Sequence, residues 1–420
     1  MQEYRKRIIE NILEKKLQSS GAVLVVGPKW CGKTTLAKRY AKTVVNVDSS
    51  ENLKLAELMP EALLEGKSPC LLDEWQWVPS LWDLVRRRVD DVQEMGQYIL
   101  TGSAVPNDDD RMHHTGTGRF SHLFLRTMSL QETGDSSGKI SLGELFDAPD
   151  KIFYQNFLGL DRIAYLICRG GWPGALGLSP NAALEAPFNY YDSLIKSDLT
   201  RVRGIRRSPE RFIRLLRSLA RNQGTQASLP VIAGDIVAGD GVTFDVATVG
   251  SYIDALKTLF VVEDMKAWNP NIRSKAAVRT SDTRYFVDPS IAIAALGLGP
   301  KDLINDLNTF GFFFEALCIR DLRVYAQALD GEVYHYRDSN GLECDGVVHL
   351  RNGKYGLVEI KLGGEKGIED GAATLNKLES IIDKDKMHAP SFKMVLVGIG
   401  KFAYRRDDGV YVVPLCCLGV

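Results

Sequence analysis

At 420 residues the chain exceeds what one ordinary hydrophobic core organises, so two or three domains are expected. Hydrophobic residues make up 45% and charged residues 25%, and no apolar run approaches the ~18 residues of a membrane span, which excludes the membrane-embedded and disordered classes. A net charge of −1 excludes a whole-molecule attraction for nucleic acid, so any basic surface has to be local.

Residues 1–16 are charged throughout and lack the apolar stretch of a secretory signal, so a cytoplasmic location is expected. The seven cysteines are scattered singly apart from Cys416-Cys417, a pattern of free thiols and not of zinc or disulfide frameworks. Apolar runs at 22–26, 43–47, 70–73, 98–102 and 123–126 alternate with helical patterns at 33–41 and 81–92. This predicts an α/β domain over 1–150, with the loop-like stretch 134–144 near its end. From 151 to 290 the pattern turns helical. A Gly170-Gly171-Trp172-Pro173-Gly174 turn is followed by an arginine-rich helix at 209–221, and then by a helix that Asp245 can cap, with Val249, Ile253 and Leu256 at helical spacing. Strand-like residues at 259–268 and 284–288 complete the outline of a winged helix. A third domain, 291–420, is expected from a helix at 312–327 and strands at 343–350, 355–362 and 394–400.

Residues 27–34 match G-x-x-x-x-G-K-[ST] at every fixed position, between a strand and a helix. Gly27 and Gly32 let backbone N–H groups wrap phosphates, Lys33 neutralises their charge, and Thr34, with Thr35 beside it, offers a hydroxyl to Mg2+. ATP with magnesium is the expected ligand. The run 70–73 ends in Asp73 and Glu74: Asp73 would hold the metal through water and Glu74 would act as base toward the attacking water. Thr101 and Ser103, ending the next strand, stand where the γ-phosphate would be sensed. Arg119 and Arg126 are candidates for an arginine finger or sensor, acting in cis or between neighbours of a homo-oligomer.

In the last domain, Asp345 lies on one strand and Glu359 and Lys361 on the next, joined by a turn at 351–354. Period two puts Glu359 and Lys361 on one face. Two carboxylates can chelate Mg2+ or Mn2+ while the ammonium orients water against a phosphodiester, with Glu315 on the preceding helix as a further ligand. A solvated hairpin face is the plain alternative. Eight arginines (201, 203, 206, 207, 211, 214, 217 and 221) against the single acid Glu210 form a basic patch that could meet DNA phosphates. The helix at 246–259 has Lys257 as its only basic residue, which speaks against sequence-specific reading.

The motifs GPKWCGKTTLA (27–37), LLDEWQWVP (71–79), YILTGS (98–103), Gly118-Arg119 ahead of TMSLQE (127–132), GGWP (170–173), RYFVD (284–288), the stretch 334–348 and VEIKLG (358–363) together resemble bacterial and archaeal AAA-type P-loop ATPases with a C-terminal domain related to the PD-(D/E)XK nucleases. The chain departs from similar proteins at 126–128, where they tend to carry a proline. The resemblance implies a AAA-like α/β core, a winged-helix middle, a restriction-endonuclease-like end, and Gln76 beside the acid pair. The leading expectation is an ATPase whose cycle controls binding, and cleavage if the acids are active, of nucleic acid. The alternative is an ATP-dependent protein-partner switch with an inactive nuclease-like fold.

Overall fold

The computed structural model describes residues 4–103, 116–198, 209–237, 245–270, 281–382 and 387–420. Arginines 201, 203, 206 and 207 lie outside the described residues. The chain forms two compact units, one of Lys6–Thr127 with Leu256–Val261, the other essentially of Met128–Ala255 with Val262–Val420.

In the first unit, five strands, β1 (Ala22–Val26), β2 (Thr43–Asn46), β3 (Cys70–Asp73), β4 (Tyr98–Gly102) and β5 (Phe120–Phe124), form a sheet in the order β2-β3-β4-β1-β5. Every pairing is parallel, and β1, flanked by β4 and β5, is buried along its whole length. A parallel sheet is covered on both faces, which is why β1 reads as an unbroken Ala-Val-Leu-Val-Val run. Leu24, Leu72 and Leu100 pack on one side with Trp82 and Phe120. Val23, Val25, Leu71 and Ile99 pack on the other with Leu36 and the N-terminal helix Glu10–Ser19. Because all five strands run the same way, their carboxyl ends share one edge, where loops of an open α/β sheet bind ligands.

The fifth strand begins three residues before its expected start. Phe120 stacks on Trp82 of the helix Leu81–Val92, ring centroids 3.9 Å apart and 8° from parallel, and this anchor pulls the start of the strand forward.

The larger unit contributes β6 (Ile140–Ser141), β7 (Phe153–Gln155), β8 (Val262–Met265), β9 (Thr283–Phe286), β10 (Gly331–Arg337), β11 (Glu343–Leu350), β12 (Tyr355–Gly363), β13 (Phe392–Ile399), β14 (Phe402–Arg405), β15 (Tyr411–Pro414) and β16 (Leu418–Gly419). Helices Pro209–Arg221, Leu229–Val237 and Val246–Thr258 precede the antiparallel pair β8/β9. The long helix Leu307–Ala328 leads into β10, β11 and β12, and the helix Glu365–Ile381 then connects β12 to its parallel neighbour β13. The sheet order is β10-β11-β12-β13-β15-β14-β7, and β6 pairs with β16. Residues 140–155 therefore fold with the C-terminal strands.

Several of the quoted motifs meet in one buried network here. Ser129 and Glu132 form a reciprocal capping box, and the Leu130 N–H donates to Asp321 at 2.9 Å. Arg320 bridges Asp321 (2.7 Å) and Asp288 (3.2 Å), and Asp288 accepts from the Gly171 N–H at 2.9 Å. Segments 127–132, 170–173 and 284–288 are thus joined through a buried arginine. Removing one member of such a set strands an uncompensated buried charge, at a cost of about 3–5 kcal/mol.

Candidate functional site

The sequence 27–34 folds as a phosphate-binding loop between β1 and the helix Lys33–Tyr40. Gly27 has φ +152°, and a Cβ there would lie 2.1 Å from the Leu125 carbonyl oxygen; Gly32, at φ +99°, precedes the first helical residue. Both positions therefore demand glycine. Lys33 is buried, and its Nζ donates to the carbonyls of Gly27 (2.9 Å) and Pro28 (2.8 Å). Thr35 is exposed on the first turn.

The acids stand at the same sheet edge. The Asp73 Oδ1 accepts from the Thr34 hydroxyl at 2.7 Å and from the Thr101 hydroxyl at 2.5 Å. Glu74, in the left-handed region at φ +56°, accepts from Gln76 Nε2 at 2.5 Å and from the Ser103 hydroxyl at 3.4 Å. A non-glycine residue is held in that conformation only when its surroundings over-determine it. The structure brings together Lys33, Thr34, Asp73, Glu74, Gln76, Thr101 and Ser103. Thr101 and Ser103 meet the two acids one to one.

Arg119 stands apart. It precedes β5, whose first residue pairs with Ala22, so it lies at the amino-terminal edge of the sheet, opposite the loop. There its Nε donates to Asp90 at 2.7 Å. Arg126 follows the carboxyl end of β5 and is the arginine of the two on the loop's edge; its guanidinium lies 4.6 Å from the Phe124 ring centroid. Arg7 escaped the sequence reading. Buried, it donates to the Cys31 carbonyl in the loop and to the Arg126 carbonyl, both at 2.8 Å, tying the loop to the end of β5. The local signal in the sequence is Glu10 three residues on, whose carboxylate accepts from the Arg7 N–H at 2.7 Å and which reads at most as a helix start.

In the larger unit β11 and β12 form the expected antiparallel hairpin. The Asp345 carboxylate accepts from the Ile360 N–H at 2.7 Å, and Lys361 Nζ lies 2.6 Å from Glu359 and 3.6 Å from Asp345. Glu315 accepts from the buried Tyr285 hydroxyl at 2.7 Å. Burial, with the Asp345 carboxylate second, pushes Glu315 and Glu359 up to about 8. Burial likewise raises Asp345, against the pull of Lys361. Lys361 is held above its usual range: burial works against it, and Asp345 and Glu359 outweigh burial. Among the described residues no group of three or more His, Cys, Asp or Glu is placed to hold a metal ion. Of the expected ligand set, Asp345 and Glu359 both lie within reach of the Lys361 ammonium, and Glu315 meets Tyr285.

The basic helix Pro209–Arg221 is partly spent on its own unit: Arg217 donates to the Ala295 carbonyl at 3.3 Å and Arg221 pairs with Asp235 at 2.8 Å.

Comparison with known proteins assigns the parts separately. Residues 160–302 and 310–418 match two families described only as domains of unknown function, DUF8612 and DUF4143. Uncharacterized proteins of Mycobacterium bovis and Mycobacterium tuberculosis are each 25% identical over 356 residues, covering 83% of this chain and 72% of theirs. A Walker-type ATPase of Pyrococcus abyssi superposes with a TM-score of 0.43 at 14% identity, over 68% of this chain and 94% of that one. No helix among the described residues is long and apolar enough to cross a membrane. Residues 19–134 match the family described as AAA domain, and with the parallel sheet and loop described above they make up a P-loop ATPase domain of the AAA kind.

Proposed function

We propose that this chain binds ATP with magnesium on residues 27–34 and hydrolyses it, and that this cycle controls nucleic-acid binding by the larger unit. The observation that carries the ATPase reading is the Asp73 carboxylate held between the Thr34 and Thr101 hydroxyls. A hydroxyl and a carboxylate in contact are hard oxygen donors of the type magnesium takes, so the residues present fit the ion. Bound there, magnesium would neutralise phosphate charge and polarise the transferred group. Lys33 exchanges two loop carbonyls for phosphate oxygens. Glu74, oriented by Gln76 and Ser103, takes the proton of the attacking water. Arg119, at the far edge of its own sheet, is proposed to serve only a neighbouring copy.

Lys33→Ala removes the loop's ammonium and is expected to abolish ATP binding in a nucleotide titration. Wild-type affinity in that variant would sink the assignment.

For the larger unit we propose a winged-helix middle, from three helices leading into the β8/β9 pair, and a nuclease-like end. The support for the latter is the order helix, three strands, helix, strand from Leu307 to Ile399, with Asp345, Glu359 and Lys361 gathered on β11 and β12. The Lys361 ion pairs favour a second reading of this cluster, a binding module without cleavage that serves as a protein-partner switch. Salt-dependent affinity for DNA separates the two readings.

A further inference from the structure

Pairing across the seven-stranded sheet carries one row through Glu359, Val395, Val412, Tyr404 and Phe153, which therefore share a face. Over the middle of that face lies the helix Glu365–Ile381, whose Ala372, Leu375 and Leu378 join a core with Val395, Val397 and Val412. Past β15 the face opens to solvent. Phe153 is 74% exposed, Phe402 42% and Tyr404 37%, whereas Ala403, pointing to the opposite face, is buried. The Phe153 and Phe402 rings stack, centroids 5.9 Å apart at 21°.

A short edge ribbon facing water ordinarily protects itself with charged or polar side chains, so three aromatic rings there point to a ligand with flat apolar surfaces. The flanking charge narrows the class. Segments 150–157 and 401–405 carry Lys151, Lys401 and Arg405 against the single acid Asp150, which pairs with Arg405 at 3.2 Å. Lys151 and Lys401 are exposed, one two residues before Phe153 and the other next to Phe402 in the chain. Stacked rings with exposed lysines in the flanking chain match exposed bases and their phosphates, and a duplex hides its base faces. We infer that the β7–β14 ribbon is a stacking platform for single-stranded nucleic acid. This rests on the proposal that the larger unit binds nucleic acid, and adds the strandedness and the place.

The test is fluorescence anisotropy of the full chain with a labelled oligothymidylate of about twenty nucleotides and with a duplex of the same length. The single strand should bind more tightly. Phe153→Ala combined with Phe402→Ala should weaken single-strand binding about a hundredfold, roughly tenfold per ring, with ATP turnover unchanged. Phe153→Trp with Phe402→Tyr should retain it. Lys151→Gln with Lys401→Gln should lower the log–log salt slope by about 1.4, roughly 0.7 for each lost phosphate contact. If the wild type binds nucleic acid and the double alanine variant binds it equally well, the platform is overturned while nucleic-acid binding stands. If the wild type binds no nucleic acid, both fall. If the double variant alters only self-association in sedimentation, the ribbon is an interface between copies and the inference fails.

Discussion

The two acid sites of this molecule differ in what surrounds the carboxylates. Asp73 and Glu74 are met by neutral donors, hydroxyls of Thr34, Thr101 and Ser103 and the amide of Gln76. Asp345 and Glu359 are met by an ammonium, and Glu315 by a phenol, within an environment that raises all three acids. Neutral donors orient a carboxylate and leave its charge available to a cation. An ammonium spends that charge in an ion pair, while burial pushes the acids' pKa upward. Similar residue types thus meet neutral donors at one site and an ammonium and a buried phenol at the other.

The largest effect should come from carrying the same substitution to each site. Glu74→Gln preserves shape and removes the base, so ATP should still bind while steady-state phosphate release falls by about 100-fold or more. Glu359→Gln should leave ATP turnover as it was. Equal turnover in Glu74→Gln would break the comparison by moving the base elsewhere.

A smaller effect concerns pH. Glu315 holds its proton in the folded unit up to about 8, whereas the unfolded chain releases it near 4.5. A folded acid with a raised pKa binds more protons than the unfolded one, so the stability it contributes is complete below pH 4.5 and is lost as pH rises through about 8. The melting temperature of the wild type should therefore fall across that window. Glu315→Gln, which keeps an acceptor for Tyr285 without an ionisable proton, should flatten the fall; an unchanged slope would mean that Glu315 is ionised when folded.

The smallest effect on ATP affinity is expected at Arg119, an exposed partner of Asp90 on the edge away from the loop. Arg119→Ala should scarcely change ATP affinity. If the arginine acts between copies, mixing Arg119→Ala with Lys33→Ala protein should recover hydrolysis that neither shows alone. No recovery, with a monomer by light scattering under ATP, would remove the assignment in trans.

What could be read from the sequence was what local spacing dictates. β1, β3, β4 and β11 and the helices at 81–92 and 209–221 lie where periodicity puts them, and the P-loop is recognisable because glycine, lysine and threonine are each required at a fixed offset. Non-local contacts hid the rest. β7 has no alternating apolar pattern and is a strand only because β14 pairs with it, more than 240 residues later. Arg7 looks like any charged residue near a helix start, and only the fold reveals the two carbonyls it braces. The Lys361 position between Glu359 and Asp345 followed from the hairpin, but the two ion-pair distances are not encoded by spacing.

The β6–β16 pairing bears on how the polypeptide acquires its shape during synthesis. Ile140 and Ser141 pair with Leu418 and Gly419, and the Ser136 hydroxyl donates to the Leu418 carbonyl at 2.6 Å. The first unit, nearly contiguous in sequence, can begin to close once residue 127 has left the ribosome, lacking only the segment Leu256–Val261. The larger unit must keep its early strands waiting for partners about 280 residues downstream, an interval of about 14–56 s at 5–20 residues per second. Until then the β6 segment has no strand to pair with, and β7 waits nearly as long for β14, so the larger unit can close only when synthesis is almost complete.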